Sequence, residues 1–577
     1  MEKQPVVIIG GGPVGLSASI LLSLRGIPHV LFERHLGTSI HPKACGINQR
    51  TTEIFRIMGI ESAVRTIAAP DDVKGRTAWW TSLGVDGREI WSRDAWGGGA
   101  YAEEYSRHGP TRYEILPQIR LEPLLVRRAR ELNPEALKFG AEVTDVVETD
   151  DGVRVKVKSC KSGDTEVLAR FVIAADGGRG ITDKLGVPWV GERNIMNMVS
   201  VHFRSRLRSR HPDPRNFITW FTHPDQGGSV RTGYLYQIGP WPFESQEAQD
   251  GEEWVFACAP TASDPIKFDE NAIITRLRST LKIPDLPIEV ISLSHWNVDA
   301  VSAERYRVGN VFLAGDAAHR IPPWGALGMN TGIQDVQNLV WKLGFALGEP
   351  ARYDGLLDSY DTERRPIGRR VGLSSLHNLR SHGLVMDAAL GMSPAQSACE
   401  NAAAIATFFD KTSPGHDAKM AAVENAQRIL DLEFKAPGAE IGWFYPSVDV
   451  DGRQASSSAE VDVGFFQPST LPGHHIPHVW VSMAGQTVAI RDLIPLNRLL
   501  LLAEDTMWNS LGTHLVLVVV TGEHGWTDAA GEWKSLMEGN AAILVRPDGI
   551  IAWRGNWDHV LGGGWPTTLQ HAVYERT

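Results

Sequence analysis

Residues 311–335, VFLAGDAAHRIPPWGALGMNTGIQD, carry the strongest structural signal in this sequence. Their pattern predicts a short apolar strand, a turn at Gly315 and Asp316, a loop with two prolines, and a helix that begins near Gly328. The free N–H groups at a helix N-terminus attract negative charge, and the strand presents a carboxylate beside them. We therefore expect this stretch to hold one end of a large ligand that carries hydroxyl and phosphate groups.

A second nucleotide signature lies near the N-terminus. The predicted order is strand, glycine-rich turn, helix and strand, at residues 6–9, 10–13, 14–24 and 29–32. Gly10, Gly12 and Gly15 match the GxGxxG pattern, which lets the backbone approach a pyrophosphate. Glu33 ends the second strand, where a carboxylate can bind ribose hydroxyls. The pattern predicts a βαβ unit that binds one dinucleotide.

Composition limits the class of protein. The chain has 577 residues, too many for one hydrophobic core, so we expect several domains. Its formal net charge of -11 argues against a nucleic-acid partner and gives no attraction to anionic membranes. No apolar run is long enough to cross a bilayer, and no leader precedes the first strand. We expect a cytoplasmic protein with neither a nucleic-acid nor a membrane partner.

The cysteines and histidines do not indicate a metal site. Only four cysteines occur, and none forms a CxxC pair, which fits a reducing compartment without a disulfide framework. His474, His475 and His478 lie close together in sequence, but no cysteine or pair of carboxylates accompanies them. We expect no bound metal.

The rest of the chain divides into three kinds of segment. Short aromatic strands near residues 198–203, 217–221, 233–238 and 254–257 predict an antiparallel sheet inserted into the first domain. Helical patterns follow from residue 330 to 347 and beyond residue 395. Residues 440–577 contain their own predicted strands, including the turn Arg546-Pro547-Asp548-Gly549, and read as a separate small α/β domain.

A third motif, AADGG at residues 174–178, follows another short apolar strand. With GGGPVG at 10–15 and FLAGDAAH at 312–319, it resembles the class A flavoprotein monooxygenases, the FAD-dependent aromatic hydroxylases typified by para-hydroxybenzoate hydroxylase and phenol hydroxylase. HPKACGINQRTTEIFRIMG, LPQIRLEPLL and YDTERRP extend the likeness. The tail segments PGHHIPHVW and AILVRPDGIIAWR resemble the thioredoxin-like C-terminal domain of the phenol hydroxylase branch. The likeness is closest to chlorophenol monooxygenases and polyketide hydroxylases.

The resemblance implies a mixed α/β and α+β architecture. A Rossmann-like FAD-binding domain would comprise residues 1–190 and 290–395, and a substrate-binding antiparallel sheet would comprise residues 191–289. A helical connector at 396–439 and a thioredoxin-like domain at 440–577 would follow.

It also implies the residues that contact FAD. Those near the ADP half are Gly10, Gly12, Pro13, Gly15, Glu33 and Arg34; those near the pyrophosphate, the flavin or the visiting nicotinamide are Lys43, Gln118, Asp176, Asp316, Pro323, Gly328, Met329 and Asn330. Asp316 would bind a ribityl hydroxyl. Backbone N–H groups at the helix entrance would face the isoalloxazine ring and favour its anionic reduced form.

Several positions depart from the common family pattern, among them Gly180 and Asp183, which stand where a serine and a later arginine usually follow the Asp176 motif. Lys43 stands where many relatives have arginine, and it lacks the bidentate fork of a guanidinium. Cys45 stands where phenol hydroxylases have a carboxylate that acts on the substrate hydroxyl, so that base is missing. Ala326-Leu327 stands where Gly-Gln is common.

The catalytic base cannot be named from the sequence. The candidates for lining the substrate pocket are Cys45, Tyr234, Tyr236, His223 and Pro323, with Trp220 and His202 as further aromatic or polarising groups. For each aromatic or histidine side chain, a purely structural role is an open alternative.

The function implied is an FAD-dependent monooxygenase. It would use NADPH or NADH as a transient reductant and O2, through a flavin C4a-hydroperoxide, to hydroxylate a phenolic or polyketide aromatic substrate. A Baeyer–Villiger or epoxidising oxygenase is the alternative within the same fold. A flavin-bearing interaction protein that docks through residues 440–577 is the alternative from another class. The family also implies a homodimer.

Overall fold

The computed structural model describes residues 2–159, 163–243, 245, 251–261, 264–265, 267–446 and 462–574. Within these residues, two eight-stranded sheets and a smaller four-stranded sheet form the framework. No helix among them is long and apolar enough to span a membrane.

The first sheet gathers the three ligand motifs at one edge. Strand Glu2–Ile9 pairs in parallel with His29–Glu33 and with Gly163–Ala174, which in turn pairs in parallel with Val311–Leu313. Parallel strands end at the same edge of a sheet, so the turns at Gly10, Asp176 and Gly315 lie side by side. The sheet is completed by Leu137–Phe139, Ala141–Thr149, Gly152–Ser159 and Arg307–Val308.

Two helices pack tightly against this edge. The side chain of Val14, in helix Pro13–Leu24, lies against Gly315 and against Gly332 of helix Gly328–Ala346. A Cβ atom on Gly332 would lie 2.7 Å from the Val14 side chain and 2.9 Å from the Gly315 Cα. The two glycines therefore permit the N-terminal turn, the Gly315 turn and the later helix to meet.

The second sheet extends beyond the predicted range 191–289. Its strands in spatial order are His319–Arg320, Glu289–Ala303, Trp189–Arg204, Glu253–Cys258, Tyr234–Gly239, Ile218–Phe221, Arg76–Trp80 and Glu89–Asp94. The last two precede the predicted range in the chain, because Arg76–Trp80 pairs in parallel with the edge of the insert at Ile218–Phe221. The proposed domain boundaries otherwise stay predictions.

Long helices cover one face of the second sheet. Helix Asp354–Leu390 has 37 residues and was not among the predicted elements. Helices Ala398–Phe409, His416–Ile429 and Asp431–Phe434 follow it through the predicted connector. Other helices and short strands are Gly46–Ile47, Gln49–Met58, Glu61–Ile67, Asp71–Lys74, Ala102–His108, Glu114–Ile115, Gln118–Leu132, Ile181–Lys184, Ser229–Thr232, Glu270–Leu281 and Pro437–Glu440.

The C-terminal region forms its own sheet of strands Val516–Val520, Leu499–Ala503, Ala542–Val545 and Ile551–Gly555, in that order. A hairpin of Trp480–Met483 and Gln486–Ala489 and helices Glu532–Leu536, Trp557–Leu561 and Trp565–Ala572 accompany it. Leu499 and Leu501 join the core of the first domain, whereas Leu500 and Leu502 join a separate cluster. Both faces of the sheet are thus covered, and one of them packs against the first domain.

Candidate active site

The glycine turn leaves room for a ligand at one position and for close backbone packing at the others. Gly10 has a φ of +106°, and a Cβ there would lie 2.2 Å from the Ala175 carbonyl oxygen. A Cβ on Gly15 would lie 1.9 Å from the Gly10 oxygen. Gly12, in contrast, faces open space and precedes a helix whose N-terminus has no side-chain cap. The first N–H groups of that helix are therefore available to an anion.

Glu33 is fixed beside this turn. Its Oε2 accepts a hydrogen bond from the Gly11 N–H at 2.7 Å, and its Oε1 accepts one from the His35 N–H at 2.7 Å. Arg34 is exposed and donates from Nε to the His35 ring nitrogen at 3.1 Å. The carboxylate is held at the strand end, as dinucleotide recognition requires.

Gln118 anchors the loop that contains Lys43. Its backbone N–H donates to the carbonyls of Pro42 and Ala44, and its side-chain amide donates to Glu122 at 2.5 Å. Lys43 itself has a φ of +48°, in the left-handed region that an ordinary side chain rarely adopts. This loop is therefore held in a strained shape at the start of helix Gln118–Leu132.

Asp176 organises its own turn. Its carboxylate accepts hydrogen bonds from the backbone N–H groups of Gly178, Arg179 and Ile181 at 3.1–3.2 Å. The Arg320 guanidinium donates to the Gly178 carbonyl oxygen, which ties this turn to the strand after Gly315. The structure thus gives Asp176 a loop-shaping role.

Asp316 points into accessible space although protein surrounds it. Its side chain is exposed, yet burial raises the pKa of its carboxyl, against the opposing influence of His319 and Lys43. The neighbouring Gly315 N–H donates to Asp335 Oδ2 at 3.2 Å. The exposed Asp316 carboxylate is therefore presented by a turn that is anchored behind it.

A chain of buried charges supports this turn. Asp335 accepts hydrogen bonds from His319 Nε2 at 2.7 Å and from Arg364 Nε at 2.8 Å, and all three side chains are buried. Arg364 also donates to the Tyr445 hydroxyl at 3.0 Å. Burial by itself raises the pKa of Asp335, but His319 and Arg364 more than offset it and lower that pKa.

The helix entrance is tied to the strand Gly46–Ile47. Asn330 Oδ1 accepts from the Asn48 N–H at 3.0 Å, and its Nδ2 donates to the Gly46 and Ala326 carbonyls at 3.0 and 2.7 Å. The Asn330 side chain is thus fully engaged by protein, so only its backbone is left for a ligand. Gly328 and Met329 begin a helix without a side-chain cap. Pro323 is exposed in the preceding loop.

Ala326 has a φ of +55° in that loop. Left-handed backbone costs a non-glycine residue roughly 1–2 kcal/mol. Ala326 is therefore strained at the helix entrance.

One face of the second sheet is a wall of aromatic side chains. Trp79, Trp220 and Tyr234 are cross-strand neighbours, and the Trp220 and Tyr234 ring centroids lie 4.4 Å apart. Tyr234 and Tyr236 stack with centroids 6.0 Å apart. Cys45, Tyr113, Trp96 and Trp324 from the first domain join the same cluster. The aromatic face of the second sheet therefore lies opposite the flavin-type motifs.

Three of the predicted pocket residues meet in this cluster. Cys45, Tyr234 and Tyr236 pack together, and burial raises the pKa of each, that of the Cys45 thiol to about 12. At neutral pH these groups are uncharged. Cys45 is consequently a neutral thiol and not a thiolate base at neutral pH.

The structure places the two candidate histidines elsewhere. His223 is buried with its Nδ1 3.4 Å from Asp225, and burial together with Lys282 lowers its pKa. Among the described residues, its ring makes none of the contacts that join Trp220, Tyr234 and His382. His202 Nε2 lies 3.1 Å from Glu253, which also accepts from Arg120 of helix Gln118–Leu132 at 2.9 Å. These contacts join the second sheet to helix Gln118–Leu132, so a structural role accounts for the buried position of His202.

The sequence interpretation missed two polar groups of this cluster. Tyr113 precedes the short strand Glu114–Ile115 and had no motif to mark it. His382, in the unpredicted long helix, donates from Nδ1 to Glu433 Oε2 at 2.7 Å, and its ring centroid lies 3.8 Å from that of Trp220. No periodic signal could have paired residues so far apart in the chain.

The C-terminal histidines form no metal site. His474 stacks on Phe444, and His478 packs edge-on against Trp480. Within the described part of the chain, no group of three or more histidine, cysteine or carboxylate side chains could hold a metal ion.

The donors around the first sheet fit FAD. The site offers open space at Gly12, uncapped N-termini on helices Pro13–Leu24 and Gly328–Ala346, and carboxylates at Glu33 and Asp316. Such a set suits a ligand with phosphates, two polyhydroxyl segments and a ring that becomes anionic. Together with the aromatic face, these features define a flavin-dependent oxidoreductase that acts on an apolar, ring-containing substrate.

Comparisons with known proteins agree with this class. The family described as FAD binding domain matches residues 3–374, and the family described as aromatic-ring hydroxylase, C-terminal, matches residues 469–574. A putative polyketide hydroxylase of Streptomyces halstedii is 32% identical, over 99% of this chain and 97% of the relative. Phenol 2-monooxygenase of Pseudomonas sp. (strain EST1001) is 30% identical, over 96% of this chain and 90% of the relative.

Solved structures show the same likeness. The flavin-dependent monooxygenase PieE, in complex with FAD and substrate, superposes with a TM-score of 0.89 at 29% identity, over 99% of both chains. Aklavinone-11 hydroxylase with FAD and aklavinone superposes with a TM-score of 0.74 at 25% identity, again over 99% of both chains. The chain belongs to the FAD-dependent aromatic-ring hydroxylases, and the predicted fold class, cofactor and enzyme class are confirmed.

Proposed function

We propose that this protein hydroxylates a phenolic ring, alone or within a polycyclic polyketide, using FAD, NAD(P)H and O2. The observation that carries the proposal is the aromatic face of the second sheet, where Trp220, Tyr234 and Tyr236 lie opposite Cys45 and the loop at Trp324. Flat aromatic walls favour a planar aromatic ligand. The names of the relatives support the same substrate classes.

The FAD would be held by the residues at the edge of the first sheet. Gly10, Gly12 and Glu33 would bind the ADP half, and Asp316 would bind the ribityl chain. The backbone at Gly328 would face the flavin ring. When bound, FAD supplies the redox and oxygen-activating chemistry that no protein side chain provides.

The chain's own residues orient the substrate and exclude water. The cluster of Trp79, Trp220, Tyr234 and Trp324 is closed by helix Asp354–Leu390, which places Leu376 and Met386 against it. An apolar enclosure strengthens each polar contact that the substrate makes inside it and limits loss of reactive species to water. Cys45 would line this enclosure as a neutral thiol.

The test is a substrate panel with purified protein. Phenol, 2,4-dichlorophenol, 1-naphthol and 1,8-dihydroxyanthraquinone would each be scored for NADPH and NADH consumption, H2O2 release and oxygenated product. At least one should stimulate NAD(P)H oxidation and yield a product that contains one atom from ¹⁸O2. Protein without bound flavin, or NAD(P)H oxidation that no panel compound accelerates, would contradict the proposal. The position of ¹⁸O in product fragments separates hydroxylation from Baeyer–Villiger insertion.

We also propose a cytoplasmic homodimer, as the family suggests. Light scattering coupled to gel filtration measures the oligomeric state directly. A monomer at micromolar concentration would contradict the dimer.

The ratio of kcat/KM for NADPH to kcat/KM for NADH identifies the preferred reductant.

A further inference from the structure

Tyr113 connects the aromatic cluster to the loop that precedes the flavin-facing helix. It leads into strand Glu114–Ile115, which pairs with Gly46–Ile47. Its ring stacks on Trp96 with centroids 6.4 Å apart, and only 5% of the residue is exposed. The ring is therefore fixed, and its hydroxyl has a defined position.

The hydroxyl of Tyr113 lies where three segments meet. A Cβ on Gly46 would lie 2.3 Å from the Tyr113 oxygen and 2.8 Å from the Ala326 Cβ. Tyr113, Gly46 and Ala326 are thus in contact, next to Cys45. The hydroxyl is placed between the substrate-lining cluster and the loop before Gly328.

This hydroxyl has no hydrogen-bond partner among the residues that the structure describes. A buried donor left unpaired destabilises the fold, whereas a phenylalanine would fill the same space without that penalty. Other buried tyrosines are satisfied: Tyr105 donates to Glu440, and Tyr360 donates to the Leu313 carbonyl. An unpaired hydroxyl between the aromatic cluster and the loop before Gly328 points to a bound partner.

Tyr113 keeps a proton that it can donate. Burial, together with the neighbouring Glu440 and Cys45, raises its pKa well above the usual value of a phenol. It therefore stays protonated at neutral pH and offers its O–H to an acceptor. The Cys45 thiol, next to Gly46, is also neutral, because burial raises its pKa to about 12.

We propose that Tyr113 donates a hydrogen bond to the oxygen substituent of the substrate ring and so determines which ring carbon faces the flavin. The inference rests on the proposed function and deepens it. A phenol or phenolate oxygen is the acceptor that this class of substrate brings, and one fixed oxygen orients a flat ring that apolar walls alone leave free to rotate. Tyr113 is then a positioning and specificity residue that touches the substrate.

The decisive variant is Tyr113→Phe, which removes one oxygen and keeps the ring. Tyr306→Phe is the matched control. The Tyr306 hydroxyl also lies close to a glycine, because a Cβ on Gly368 would be 2.2 Å from its oxygen. Unlike the Tyr113 hydroxyl, it is hydrogen-bonded to the Ser302 hydroxyl at 3.1 Å. Both variants would be purified with FAD. Each would then be compared with wild type for flavin absorption, FAD retention, thermal unfolding and turnover of the panel phenols.

In Y113F we expect kcat/KM for the best panel phenol to fall about tenfold to a hundredfold, as for a lost hydrogen bond to a charged acceptor. The share of NAD(P)H that yields product should fall, H2O2 should rise, and a second regioisomer should appear. The flavin spectrum and FAD retention without substrate should not change. Y306F should keep wild-type coupling and a single regioisomer.

Two results would overturn the inference while leaving the proposed function intact. The first is unchanged coupling and regiochemistry in Y113F. The second is a change in the substrate-free flavin spectrum with unchanged substrate parameters, which would assign the hydroxyl to the flavin instead. If wild type oxygenates no panel phenol, the proposed function fails, and the inference falls with it.

Discussion

Replacing Asp335 by asparagine tests the support of the Gly315–Asp316 turn. The Asp335 carboxylate accepts from Arg364 Nε on one oxygen and from His319 Nε2 and the Gly315 N–H on the other. Asparagine offers one oxygen and one N–H2 group, so at least one of these three donors would face another donor. Arg364, which is fully buried, would also lose its countercharge. Breaking a buried ion pair in this way costs about 3–5 kcal/mol.

The assay is urea and thermal unfolding of the FAD-loaded protein, followed by flavin fluorescence and by circular dichroism. D335N should lower the free energy of unfolding by about 3–5 kcal/mol. It should also release FAD during gel filtration, because the turn that presents Asp316 loses its anchor. The double variant D335N/R364M should lose less than the sum of the single variants, since it removes the unpaired charge.

The pH dependence of stability gives a second test of the role of Asp335. The pKa of Asp335 is lowered in the folded protein, because His319 and Arg364 outweigh the effect of burial. A lowered carboxyl pKa contributes stability above the unfolded-state value of about 3.9 and loses it as the pH falls through the folded pKa. The gap between wild type and D335N should thus be constant from pH 8 to 5 and narrow below about pH 4. Equal stabilities at pH 7, or a gap that widens in acid, would refute the reasoning.

Three further substitutions test other contacts. Gly46→Ala should lower the melting temperature, because its methyl group would lie 2.3 Å from the Tyr113 oxygen. In a Y113F background, which lacks that oxygen, the same substitution should lower the melting temperature less. Strictly additive shifts of the two substitutions would contradict this geometry. Ala326→Gly should stabilise the protein by about 1 kcal/mol in urea unfolding, because glycine adopts a φ of +55° without strain; a destabilised A326G would argue that the methyl packs favourably. Glu363→Gln should lower the free energy of unfolding by about 3–5 kcal/mol, because it leaves Arg546 buried without a full countercharge. An unchanged urea midpoint would show that the Glu363–Arg546 ion pair does not stabilise the protein.

Local patterns predicted the first sheet well because its elements are consecutive. The glycine turn, the helix Pro13–Leu24 and the strand His29–Glu33 form one βαβ unit, whose signals all lie within a short window. The second sheet was harder. Strands Arg76–Trp80 and Ile218–Phe221 pair in parallel, and no local pattern encodes a partner so far away. Helix Asp354–Leu390 buries polar and charged side chains, such as Glu363, Arg364 and His382, beside apolar ones, and it contains Pro366, so it lacks a clear amphipathic period.

The candidate site was predicted where a motif fixes a backbone shape. Gly10, Glu33 and Asp316 follow strand ends, so their place at the sheet edge could be foreseen. Cys45, Tyr234 and Tyr236 share the aromatic cluster. The His223 ring makes none of the contacts that join Trp220 to Tyr234 and His382 in the described residues. The position of His223 could not be predicted from its residue type, because the side of a sheet on which a loop histidine lies depends on tertiary packing. Whether each predicted residue contacts FAD or substrate stays a prediction.

The buried charges at the C-terminal domain bear on whether it is a separable docking module. Arg546 donates from both terminal nitrogens to Glu363 at 2.7 and 2.8 Å, and Lys342 Nζ lies 2.7 Å from the same carboxylate. All three side chains are fully buried. Lys342 belongs to helix Gly328–Ala346, whose first turn contains the residues that we predict to face the flavin. A module that exchanges partners would have to desolvate Arg546 at each encounter, at a cost of several kcal/mol. The geometry instead makes the domain a permanent part of the frame that holds this helix, which argues against the reading of the chain as an interaction protein.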